Sequence, residues 1–327
     1  MRIGILGATG AVGQQMMQCL VEQDIKVDEL RLLASYKSVG KELQFKGKTL
    51  KVIEAKEDSF DGLDVVLGAA GRKSSEYFAP FIKKAKAVFI DNSSAFRMDE
   101  EVPLIIPEIN GEDVKKHNGI IASPNCSTII AFMALYGINK KSKLTKMIVS
   151  TYQAVSGAGI KGIAELENQI EAISSGGKIE NHVFAHQIAY NCIPAIGTFL
   201  ADGYTDEEMK MQNEGRKIMH LPHLDVTCTC VRVPIIKSHS ISISFATEKP
   251  LTIEEVRKAI SDSKGIRLMD DGANNVYPMP VNTTDNDIIE VGRIREDKVI
   301  GGFSLFCCGN QIRKGAASNT VAIIKCL

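Results

Sequence analysis

The sequence predicts a doubly wound α/β fold for the first part of a chain long enough for two domains. Three observations predict it. First, a short apolar strand, Arg2-Ile3-Gly4-Ile5-Leu6, runs directly into Gly7-Ala8-Thr9-Gly10-Ala11-Val12-Gly13 and then into a helix through Leu20. Second, apolar strand patterns alternate with helix patterns after it, which is the signature of a parallel sheet. Third, 327 residues with 44% hydrophobic content suffice for two packed cores.

The elements follow in order. Strand, glycine turn and helix form the context in which a glycine motif means dinucleotide binding. The glycines let the backbone approach a pyrophosphate, and the helix N-terminus faces the anion. The spacing is G-x-x-G-x-x-G, so the loop should differ in shape from the commoner G-x-G-x-x-G turn. The second strand, Leu30 to Ala34, ends without an acid: Ser35-Tyr36-Lys37-Ser38 follows, and Asp28 and Glu29 lie at the wrong end. A lysine flanked by hydroxyls suits a 2′-phosphate, so NADP is preferred over NAD. Further strands are read at Gly62 to Ala70 and Ala87 to Ile90, with a helix at Phe78 to Lys86. Asp91-Asn92-Ser93-Ser94-Ala95-Phe96-Arg97 closes the last of these strands, and Arg97 can hold an anion bidentately there.

The chain is centred on Ser123-Pro124-Asn125-Cys126-Ser127-Thr128, between the apolar run Gly119 to Ala122 and a helix beginning near Ile129. Cys126 should stand at a helix N-terminus, where free N–H groups and the helix dipole favour the nucleophilic thiolate. The competing reading is a buried, inert cysteine. Met147 to Tyr152 is a strand leading into a second glycine loop, Gln153 to Gly159. Lys161 to Ser174 is a helix. Another helix is capped at Thr205 or Asp206, and its Glu207 and Lys210, three apart, read as a helical ion pair. Arg232 stands alone in the strand Thr227 to Pro234, and His239 opens a further strand as a candidate base. Leu251 to Ile260 is a helix with Thr252 as cap, Phe303 to Cys308 a strand, and Asn310 to Lys325 a final helix that should pack back on the first domain.

Composition excludes several functions. Lys+Arg and Asp+Glu both number 39, which leaves no basic stripe for nucleic acid. No apolar run is long enough for a membrane span, and Met1-Arg2 enters the first strand without a secretory leader. Eight cysteines without framework spacing suit a reducing cytoplasm. Cys228-Thr229-Cys230 and Cys307-Cys308 lack metal-site spacing, so no metal is expected.

Together the glycine loop, Asp91 to Arg97, Pro124 to Thr128, Ser150 to Gly159 and Arg232-Val233-Pro234 with His239 resemble the aspartate-β-semialdehyde dehydrogenase family over essentially the whole chain. The resemblance implies a dinucleotide-binding (Rossmann) domain, 1–125 with 308–327, and a mixed α/β catalytic and dimerisation domain, 126–307. It implies Cys126 as nucleophile, His239 as acid/base and Gln153 as the group that orients substrate. Arg232 would bind the substrate carboxylate, Glu207 its amino group, and Arg97 and Lys210 the phosphate, with Asn125 also at the substrate. Gly7, Thr9, Gly10, Ala11, Val12, Lys37, Ser38, Ser156, Gly157 and Gln311 would contact NADP(H). Lys37 stands where many relatives carry arginine. The implied reaction is NADPH-dependent reductive dephosphorylation of L-aspartyl-4-phosphate to L-aspartate-4-semialdehyde and phosphate, in lysine, threonine and methionine synthesis. The assembly implied is a homodimer, with pairing into tetramers left open. Two alternatives remain: N-acetyl-γ-glutamyl-phosphate reductase, and a non-catalytic NADP-binding relative.

Overall fold

The computed structural model describes residues 1–284 and 287–327. The chain forms two compact units, Met1–Asn125 with Ala316–Leu327, and Cys126–Gly315. In the first, β1 (Arg2–Leu6), α1 (Ala11–Glu22), β2 (Glu29–Ala34), the hairpin β3 (Glu42–Phe45) and β4 (Lys48–Lys51), and β5 (Ile53–Glu54) come first. Then follow β6 (Val65–Gly68), α2 (Arg72–Lys84), β7 (Val88–Asp91), α3 (Pro107–Asn110) and β8 (Ile120–Ala122). Six strands form one parallel sheet in the order β5-β2-β1-β6-β7-β8. The chain winds outward from β1 in one direction and then from β6 in the other. The carboxyl ends beside that reversal, where such sheets bind ligands, carry Gly7, Ala69 and Ala70. Every residue of β6 is buried, as expected for a parallel strand covered on both sides.

One boundary differs from the sequence reading. The helix expected from Phe78 begins at Arg72. Its inward stripe is Ser75, Ala79 and Ile82, and Ser75 is polar because it donates to buried Asp91 at 2.7 Å.

The second unit opens with α4 (Cys126–Lys141), β9 (Leu144–Gln153), α5 (Ile160–Ser175), α6 (Asp206–Met219) and β10 (Asp225–Arg232). It continues with β11 (His239–Thr247), α7 (Ile253–Ser261), β12 (Ile266–Leu268), β13 (Ile289–Asp297) and β14 (Gly302–Gly309). The mixed sheet runs β10-β9-β11-β14-β13-β12. β10 lies parallel to β9 and β12 to β13, and the other pairs are antiparallel. α4 is buried along most of its length, the state of a helix apolar all round. α6 can approach it closely because Gly215 faces Phe132: a Cβ there would lie 2.1 Å from the ring. Thr205 and Glu208 form a capping box on α6, and Thr252 and Glu255 form another on α7.

Two expectations about the C-terminal stretch are corrected. The chain does not leave the second unit at 307/308, because Cys307 to Gly309 complete β14 against β11 and β13. Nor is Asn310 to Lys325 one regular helix. The Asn310 side chain accepts from Ile312 and Arg313 N–H, and its carbonyl accepts from Gly315 N–H at 3.0 Å. That wide turn opens a π-helical stretch, Arg313–Ala317, before α8 (Ser318–Ile323) and a short 3₁₀ turn. α8 buries Val321 and Ile323 in the first unit's core with Met16 and Leu20.

Candidate active site

Cys126 is the first residue of α4 and is half-buried. The apolar strand β8 delivers the chain to this point, and a helix start is where backbone N–H groups and the helix dipole favour negative charge. His239 opens β11 and is 0% exposed; its Nε2 lies 3.5 Å from Cys126 Sγ. His239 is thus a core strand residue, as its place at the opening of a strand predicts. Nδ1 accepts the Ala154 N–H at 3.0 Å. A neutral ring accepting at Nδ1 carries its proton on Nε2 and presents it to sulfur. Burial, then the Arg232 charge, push the ring well below the usual histidine range. The residue before it, Ser238, has φ 71°, and its N–H donates to Gln311 Oε1 at 2.8 Å.

Two glycines keep this centre open. A Cβ on Gly157 would lie 2.7 Å from Arg232 Nη1 and 3.4 Å from His239 Cε1. A Cβ on Gly315 would lie 3.0 Å from the Cβ of Cys126. The π turn thus has a local consequence, since it brings a residue without a side chain against the cysteine.

The ends of β9 and β10 lie side by side, with Arg232 opposite Gln153 in the register. Arg232 is 8% exposed and donates to Ala154 O at 2.7 Å. Burial lowers its pKa, opposed first by the charge of Cys126 and then by that of Glu207. Gln153 accepts from Thr151 at 3.0 Å and donates to Glu207 Oε1 at 3.3 Å. The helical ion pair read from spacing is present, with Lys210 Nζ 2.9 Å from Glu207 Oε2 and 3.1 Å from Asp206. Burial would lower Lys210, but Glu207 and then Asp206 outweigh it and raise it. The ion pair is thus joined to Gln153 through Glu207. Ser156 and Gln311 are buried, and their side chains bond each other. Ser156 also donates to Ile236 O, so these two brace the loop that carries His239.

The first unit supplies the other predicted residues. Gly7 has φ 91°, and a Cβ there would lie 2.8 Å from Ala69 C and Ala70 N. Gly10 caps α1 without a side chain, which leaves the Ala11 and Val12 N–H groups at the helix start for an anion. Thr9 Oγ1 donates to Ser38 Oγ at 3.3 Å, joining the glycine loop to the end of β2. A cavity of about 480 Å3 is lined there by Gly7, Thr9, Gly10, Ser35, Tyr36 and Glu54, among others. Lys37 is exposed beside it, its Nζ 5.9 Å from the Tyr36 ring centroid. Glu54 was not anticipated: it belongs to β5, but register sets it opposite Ala34, the end of β2.

Arg97 is buried; its Nε donates to Ser123 O at 3.0 Å and its Nη2 to Asn92 O at 2.8 Å, which fixes the guanidinium plane. Asn125, two residues past Ser123, is 8% exposed. Asp91 shapes the loop by accepting from Ser75 Oγ, Ser93 N and Ser93 Oγ. Its burial raises its pKa against those bonds.

Known proteins are similar to this chain over its whole length. The semialdehyde dehydrogenase NAD binding domain model matches residues 2–117, and the semialdehyde dehydrogenase dimerisation domain model matches residues 135–314. An aspartate-semialdehyde dehydrogenase of Aquifex aeolicus is 48% identical, covering 100% of this chain and 97% of its own. The chain belongs to the aspartate-semialdehyde dehydrogenase family. The Bacillus subtilis member is 45% identical over the same shares. A Vibrio cholerae aspartate semialdehyde dehydrogenase II crystallised with ASA superposes with a TM-score of 0.97 at 40% identity, over 100% of this chain and 97% of that one. The chain thus has the family's two domains over its length.

Proposed function

We infer that the protein reduces L-aspartyl-4-phosphate to L-aspartate-4-semialdehyde and phosphate with NADPH, as a cytoplasmic homodimer in lysine, threonine and methionine synthesis. One observation carries this reading: a cysteine at a helix N-terminus, 3.5 Å from a buried histidine. The first unit fits the cofactor, since Gly7 admits close backbone approach and α1 begins with uncapped N–H groups. Gly7, Thr9, Gly10, Ala11 and Val12 would hold the pyrophosphate, Lys37 and Ser38 the 2′-phosphate, and Ser156, Gly157 and Gln311 the far end. When bound, NADPH supplies the hydride that takes a thioester to a hemithioacetal.

The chain's own residues do the rest. Cys126 thiolate attacks the acyl carbon, and the C–O bond to phosphate breaks, which leaves a thioester on Sγ. Arg232 holds the substrate carboxylate, Glu207 its amino group, and Gln153 orients the carbonyl. Arg97 and Lys210 receive the leaving phosphate, with Asn125 beside the nucleophile. N–H groups at the start of α4 take the developing oxyanion. His239 holds the thiolate by its Nε2–H; proton uptake at Nδ1 requires release of the Ala154 bond. The open face of the mixed sheet supports the dimer: β9 exposes Ile148 and Tyr152 there while its alternate residues are buried. The test is NADP-dependent oxidation of the semialdehyde with and without phosphate. Phosphate-dependent NADPH formation lost in Cys126→Ala supports the reading; activity only with N-acetylglutamate semialdehyde overturns it.

A further inference from the structure

Helix α5 buries two polar residues one turn apart, Glu165 at 5% and Gln169 at 2% exposure, and neither has a place in the chemistry above. A buried carboxylate is costly unless its oxygens are satisfied. Glu165 is satisfied entirely by main chain, accepting the successive N–H groups of His182, Val183 and Phe184. Gln169 Oε1 accepts from Ile188 and Ala189 N–H at 2.9 and 3.0 Å, and its Nε2 donates to Glu180 O and Asn181 Oδ1. The segment so held has no helix or strand of its own. It nevertheless packs Ile188, Ala189 and Ile193 with Val155 and Leu166, with Phe184 against that cluster.

What this strap reaches is Arg232. The Phe184 ring centroid lies 5.8 Å from the Arg232 guanidinium carbon. Ile193 pairs with the Arg232 main chain in both directions, at 2.9 and 2.8 Å. The arginine is therefore gripped by its backbone and covered on one side by an aromatic face. Such a face attracts the cation, and exclusion of water strengthens what the guanidinium offers to an anion on its open edge.

We propose that Phe184 is a positioning residue that holds and dries Arg232 for the substrate carboxylate, and that Glu165 positions Phe184. The inference rests on Arg232 as the carboxylate-binding residue. It makes the strap a determinant of specificity for substrates with a free α-carboxylate over their esters or amides.

The experiment uses the full-length enzyme, with steady-state kinetics for aldehyde, phosphate and NADP separately. Phe184→Leu should raise KM for the aldehyde about five- to tenfold, the size of a desolvated cation–aromatic contact, and by more than any fall in kcat. KM for phosphate should stay put, and Phe184→Tyr should restore the aldehyde KM. Glu165→Gln, which replaces one accepting oxygen with an amide NH2 that must face at least one of these N–H donors, should give the same selective rise. Uniform changes in all three KM values, or a lowered melting temperature with an unchanged aldehyde KM, would make the strap structural only and overturn the proposal. Arg232→Lys separates the two layers. If it raises the aldehyde KM while Phe184→Leu does not, the proposal alone fails; if Arg232→Lys leaves that KM unchanged, the role of Arg232 fails with it.

Discussion

The main-chain N–H of Ala154 donates to Nδ1 of His239 at 3.0 Å, and this bond sets what the ring can offer Cys126. With Nδ1 occupied as an acceptor, the neutral ring is a donor at Nε2, 3.5 Å from sulfur. Protonation would turn an N–H toward the Ala154 N–H, and it would place a second charge beside Arg232.

A pH dependence of stability follows. Burial and Arg232 put the folded-state pKa of His239 well below its unfolded value. Above about pH 6.5 both states are neutral and the ring costs nothing; below it the unfolded chain binds a proton that the native ring refuses. Stability should therefore fall as pH drops from about 6.5. His239→Gln keeps an acceptor for Ala154 and a donor for Cys126 but does not titrate. Its melting temperature should fall less steeply than that of the native enzyme between about pH 7 and pH 5. Equal slopes would mean that the ring titrates normally.

Gly157 has no room for a methyl group. Alanine there would press on Arg232 Nη1 at 2.7 Å. Overpacking of this kind costs about 1–3 kcal/mol, and here the arginine yields first. Gly157→Ala should raise KM for the aldehyde about tenfold or more with a modest loss in melting temperature. A large melting loss at unchanged KM would show that the backbone moves instead.

Asp91 is fully buried at the end of β7 and holds the loop that carries Arg97 through Ser75 and Ser93. Removing it strands those donors. Asp91→Ala should lower stability by about 2–4 kcal/mol in denaturant titration. It should also raise KM for phosphate more than KM for the aldehyde. Equal effects on both would detach the loop from phosphate binding.

Two opposed charges stand at the cavity at the end of β2. Lys37 is exposed beside the cavity at the end of β2, and Glu54 lines that cavity. Glu54→Gln should raise the NADP-to-NAD ratio of kcat/KM, and Lys37→Glu should lower it, each by about three- to tenfold at low salt. A ratio unmoved by Lys37→Glu would remove that lysine from the 2′-phosphate site.

Most of the fold was legible because its signals are local. An apolar strand running into glycines, a cysteine turn between apolar runs, and Thr205 or Thr252 ahead of acidic first turns each state their structure within a few residues. The Glu207–Lys210 pair was legible for the same reason. The start of α2 was not, since Ser75 joins the helix's inner stripe only by bonding Asp91 from another strand. Glu54 was missed because it reaches the end of β2 through sheet register, not through sequence. Ala154 acts through its N–H, which no side-chain pattern reveals. Gly315 matters only because a π turn sets it against Cys126, where the sequence reads as one continuous helix.

The most direct test of the central claim is the mass of the protein after reaction with L-aspartate-4-semialdehyde and NADP in the absence of phosphate, followed by peptide mapping. An acyl adduct on Cys126 alone is expected, discharged when phosphate is added and absent in Cys126→Ala. NADPH formation without that adduct, or an adduct on another cysteine, would contradict it.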